Sequence, residues 1–116
     1  MANTFKNSWK EDIATSAADV YTAPASTESI LIGMTLSNTT AGNITATVTV
    51  YDADTGLTSP NDTNSIVYLN AVNIPPNTAL EVMRGNKLVL EAGDKVQVHA
   101  SAASSLNAFL SVLEIS

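Results

Sequence analysis

Residues 43–51 read NITATVTVY. Ile44, Ala46, Val48 and Val50 fall on one side of an extended chain, and Thr45, Thr47 and Thr49 fall on the other. Strict alternation of this kind is the period of a half-buried strand, with one face on a core and the other toward water. Immediately before it, ESILIGMTLSN sets Ile30, Ile32, Met34 and Leu36 on a common face, and NTTAGN supplies a turn. Two alternating runs joined by so short a polar segment are expected to pair as a hairpin.

The same pattern continues outward from this stretch. DADTGLTSPNDTN, residues 52–64, reads as a polar loop, and IVYLNAVNI gives a strand from about 66 to 74. Pro75 and Pro76 end that strand, because proline cannot donate to a ladder. ALEVM, KLVLE, KVQVHAS and LNAFLSVLEI follow, separated by RGN, AGD and SAASS. Within LVLEAGDKVQVHAS, residues 88–101, Gly93 and Asp94 carry the residues of a tight turn, and a second hairpin is expected there. Short Thr- and Val-rich runs with turn residues every eight to twelve positions describe an all-β, antiparallel, jelly-roll-like sandwich of seven or eight strands.

Residues 1–16 fall outside this pattern, so the expected division is an N-terminal arm or short helix over 1–16 and a β-sandwich over 17–116. In the arm, Phe5, Trp9 and Ile13 recur every four residues, a spacing that aligns them on one face of a helix. They are the candidate interface residues. The arm either covers a mouth of its own sandwich or docks on a neighbouring subunit.

Composition removes several classes of function. At 116 residues the chain is long enough for one core without staples. It has no cysteine, which excludes disulfides, thiolate zinc sites and cysteine nucleophiles. Its net charge is −6, with five basic residues and no basic cluster, so a nucleic-acid partner is not expected. MANTFKNSWKEDIATS lacks the apolar centre of a signal peptide, and no apolar run approaches the ~18 residues of a membrane span. The expectation is a soluble product made in a cytoplasm, with no membrane partner.

No catalytic, cofactor-binding or metal-binding residue is assigned. His99 shares the polar face of KVQVHAS with Gln97, and the sequence offers neither an orienting partner nor a nucleophile beside it. As the single histidine of a cysteine-free chain, it makes a poor start for a zinc site. Asp52, Asp54 and Asp62 could form a casual calcium site, but the twelfth position of an EF-hand loop is Thr63 here, and a solvated loop is the default. Glycosylation-like triplets begin at Asn38, Asn43 and Asn61, as chance allows in a chain rich in Asn and Thr. The glycines are too dispersed for a phosphate loop, and 5% aromatic residues are few for a base-stacking platform.

Taken in order, MANTFKN, VYTAPAST, ILIGMTLSNTT, NIPPNTALEV, KLVLEAGDKVQV and SVLEIS resemble small β-sandwich virion proteins of tailed phages, especially those infecting marine cyanobacteria. The resemblance implies a structural component of the particle, made in the host cytoplasm, used in many copies and without enzyme activity. A capsid decoration or cement protein is the leading expectation. It would be a homo-oligomer, a trimer by expectation, and would bind the major capsid protein or other virion proteins. A neck, tail or baseplate component is the alternative. A host-glycan binding module built on loops 38–43 and 52–64 is a third.

Overall fold

A computed structural model describes residues 3–52, 65–83 and 87–115. Every regular element in them is a strand: β1 (Asn3–Ile13), β2 (Ala18–Thr22), β3 (Glu28–Asn38), β4 (Ile44–Tyr51), β5 (Ser65–Ile74), β6 (Ala79–Glu81), β7 (Leu88–Leu90), β8 (Lys95–Ala100) and β9 (Leu106–Ile115). They form two antiparallel sheets, one in the order β1-β9-β3-β6 with β7 also on β3, the other in the order β2-β8-β4-β5. β6 pairs with Thr35–Ser37 and β7 with Ser29–Leu31, so these two short strands lie end to end along β3. Each sheet is therefore four strands wide, and the chain crosses between sheets at most of its turns, in jelly-roll fashion. The all-β sandwich read from the alternation is the fold observed. Among the described residues no helix is long and apolar enough to cross a membrane.

The alternating residues meet between the sheets. Val48, Val96 and Val98 from one sheet and Leu31, Met34, Leu36, Leu110 and Val112 from the other are almost wholly buried. The core is aliphatic, apart from Tyr21 at its margin. Buried branched side chains of this size stabilise by about 1.5–3 kcal/mol each, which is why the inward stripe governs the fold.

Three local expectations are corrected. The β3 and β4 runs do not pair as a hairpin: β3 lies between β9 and β6/β7, while β4 lies between β5 and β8. Likewise EAGD does not join a hairpin, since β7 pairs with β3 and β8 with β2 and β4. Its turn chemistry is as read, with Gly93 at φ 87 and the Asp94 carboxylate accepting from the Glu91 amide at 2.9 Å. Alternation tells which face of a strand is buried, but not whether the next strand sits beside it or across the core. Finally, the β3–β9 register breaks between Leu31 and Gly33. The extra residue turns Ile32 outward while Leu31, Met34 and Leu36 stay buried, so Ile30 and Ile32 do not share the Met34 face.

One sheet corner shows why an Asn-Thr-Thr triplet stands there. The buried Asn38 donates through Nδ2 to the carbonyls of Gly42, Ile74 and Pro75 at 2.8, 3.0 and 3.1 Å. Its Oδ1 accepts from the Thr40 amide and hydroxyl. The amide that a glycan would need is consumed in tying the β3–β4 corner to the end of β5.

Candidate interaction surface

Residues expected to form an arm or short helix are instead the first strand of the sandwich. β1 runs beside β9 from the Asn3–Ile115 pair to the Lys10–Ala108 pair, and then to Ile13–Leu106 after a register break. The polar composition NTFKNSWKEDI has modest strand propensity of its own, and pairing with β9 overrides it. A spacing of four aligns residues on a helix face, but four is also an even number and aligns them on a strand face. Phe5 and Trp9 thus share a face in either conformation. Ile13 does not join them: Asp12 sits at φ 54 in the register break, and Ile13 turns fully into the core.

The face carrying Phe5 and Trp9 points away from the core. Directly paired residues lie on the same side of a sheet, so Phe5 stands beside Leu113 and Trp9 beside Phe109. Phe5 is 76% exposed, Trp9 61% and Phe109 46%, with exposed Ile32 and Val89 farther across the sheet. The chain has two phenylalanines and one tryptophan, and all three lie on this face. Two shallow hollows flank Phe109. One, of about 260 Å³, is lined by Trp9, Glu11 and Asn107; the other, of about 340 Å³, by Phe5, Asn7, Ile32 and Ser111. The sequence reading missed Phe109, Ile32 and Val89. Phe109 had a signal, because it is a large aromatic residue out of phase with Leu106, Ala108, Leu110 and Val112.

Beneath the aromatic face, the inward side of β1 is polar and is held by charge and hydrogen bonds. Lys6 Nζ lies 3.0 Å from Glu114 Oε1. Tyr21, from the opposite sheet, donates its hydroxyl to Glu114 Oε2 at 2.6 Å, and its oxygen lies 2.7 Å from Ser29 Oγ. The Tyr21 hydrogen bond, reinforced by Lys6, holds the Glu114 carboxyl below its usual range despite its burial. Burial, followed by the neighbouring Glu114, pushes Tyr21 up to about 12. Ser8 adds a further tie, donating to the Val20 carbonyl at 2.7 Å. β1 is thereby fastened to both sheets while its aromatic side stays in solvent.

His99 is half-buried on β8 opposite Thr47. Asp54 and Asp62 of the calcium reading lie outside the described residues. Asp52 instead meets Glu91 and Asp94, with carboxylate oxygens within 4.8 Å of one another, and Asp94 is the residue that closes the β7–β8 turn.

No protein-family model matches the chain, and no curated protein matches it in sequence. Solved structures share its fold. A protein of the Bacillus endospore appendages, described as a family of disulfide-linked pili, superposes with a TM-score of 0.56 at 16% identity, over 98% of this chain and 88% of that one. A chain in the structure of infectious bursal disease virus, Gx strain, gives 0.52 at 10% identity, over 98% of this chain and 30% of that one. This chain therefore spans under a third of the viral one.

Proposed function

We propose that the protein is a structural component of a virus particle, a capsid decoration protein of a tailed phage, that works through its surfaces and catalyses no reaction. The observation that carries this reading is the concentration of Phe5, Trp9 and Phe109 on one exposed sheet face. Contiguous exposed apolar patches mark interaction sites, and buried aromatics supply most of an interface's energy. The resemblance to phage virion proteins and the sandwich shared with an appendage subunit and a viral chain support the same direction. Lacking cysteine, this chain associates without the disulfide links of those pili. A modest contact repeated over many copies suffices to hold a large assembly.

The aromatic face is assigned to the major capsid protein or a neighbouring virion protein, and association between copies to a separate surface. A neck, tail or baseplate component would present the same face at lower copy number. The test is rebinding of purified protein to particles stripped of it. Saturable binding in hundreds of copies, weakened by Trp9→Ala and Phe109→Ala, is expected. Failure to bind heads, together with adhesion to host cells, would transfer the face to a host glycan.

A further inference from the structure

Among the described residues the four-by-four sandwich has four open edges, and three of them are guarded. β1 carries Lys6, Lys10, Glu11 and Asp12 along its length. β2 is five residues long and bears Asp19, which bonds Gln97 at 2.8 Å and lies 3.5 Å from Lys95. The β6/β7 edge is made of strands of three residues each. Charge and brevity are the usual protections of an edge against pairing with another chain.

β5 has neither protection. Its ten residues, SIVYLNAVNI, include no charged residue, no proline and no glycine. Its side away from β4 faces no strand among the described residues. Ile66, Val67 and Tyr68 are 71%, 54% and 38% exposed. By their pairing with Val50 and Thr49, Ile66 and Val67 lie on opposite faces of the sheet, so the strand end is apolar on both sides. Two ladder breaks opposite Val48 bend β5 but leave these side chains in solvent. An uncharged, proline-free segment of high strand propensity is the pattern that recruits a further strand.

We infer that β5 is a self-association edge, pairing antiparallel with β5 of a second copy about a two-fold axis. Charge selects this occupant over the other long edge. β5 against β5 removes no charge from water, whereas β5 against a neighbour's β1 would crowd four charged side chains beside an apolar strand. The contact is isologous, so it closes at the dimer and does not propagate into a fibre. It is independent of the aromatic face, which stays free for another partner.

Sedimentation of the full chain over a concentration series tests the inference. A monomer–dimer equilibrium is expected, while a monomer at every concentration, or a trimer, overturns it. Val67→Lys places a guard on the solvent side of the strand and should raise the dimer dissociation constant at least ~10-fold. A dimer unchanged by that substitution also overturns it. Should the variant not fold, amide hydrogen exchange on the unmodified protein decides. Residues 66–72 should exchange more slowly as concentration rises, and equal rates at low and high concentration contradict the pairing. Trp9 fluorescence should stay constant through dimerisation, and a blue shift would place the contact on the aromatic face instead.

Discussion

The two outer faces of the sandwich are built from the same alternation and carry opposite chemistry. The five-stranded sheet turns Phe5, Trp9, Ile32, Val89 and Phe109 outward. The four-stranded sheet turns out Thr45 and Thr49 of β4, Gln97 bonded to Asp19, and Lys95 beside Asp19 and 5.5 Å from the Tyr51 ring. The second is largely polar, apart from exposed Val67 at the β5 edge. The first holds side chains that a protein normally hides, although the core has no aromatic but Tyr21. Stability alone would put a tryptophan inside, and its place outside supports the proposed role in association. The fold needs only the inward stripes, and the outward stripes are free to differ.

That contrast is broken most severely from within. Val48→Asp, from the four-stranded sheet, and Leu110→Asp, from the five-stranded sheet, each bury a carboxylate at a position with no exposure. Each should cost several kcal/mol and abolish cooperative melting, because the two inner faces are equivalent even though the outer ones are not.

Next in size is the aromatic face. Trp9→Ala should weaken binding to the particle by about 2 kcal/mol, roughly thirtyfold, in a titration against stripped particles. Its melting temperature should move little, since Trp9 is largely in solvent already.

The tie beneath that face sets the pH limits. Tyr21→Phe removes the donor to Glu114 and should cost about 1–2 kcal/mol in urea unfolding at neutral pH. The Glu114 carboxyl is depressed from 4.5 in the folded state, so its contribution is present above 4.5 and is lost as pH falls below that value. Tyr21 is raised from 10.0 to about 12, so its contribution is complete below pH 10 and is lost as pH rises toward 12. Both limbs should flatten in Tyr21→Phe. The smallest effect is expected on the opposite face, where Thr49→Ala should change stability and particle binding by under ~0.5 kcal/mol.

The inward stripes of β4 and β8 were legible because Val48, Val96 and Val98 alternate without interruption. β3 was harder, since a single inserted residue near Ile32 reverses the phase and leaves no mark in composition. Pairing was illegible for a different reason. NTTAGN and EAGD state that the chain turns, while the choice between a hairpin and a crossing belongs to the two sheets as wholes. For the arm, a four-residue spacing fits helix and strand alike, so Phe5 and Trp9 could be grouped while their conformation could not. Phe109, their partner on the face, is brought there by β1 pairing with β9, across about a hundred residues of chain.

In the proposed role, the aromatic face is covered in the assembled particle. Trp9 is the chain's single tryptophan, so its fluorescence reports on that face alone. The free protein should emit at the long wavelength of a solvated indole. On binding stripped particles the emission should shift to the blue, saturating with the number of copies bound. Saturable binding with the emission unmoved would mean that the particle is held by another surface, and would contradict the account.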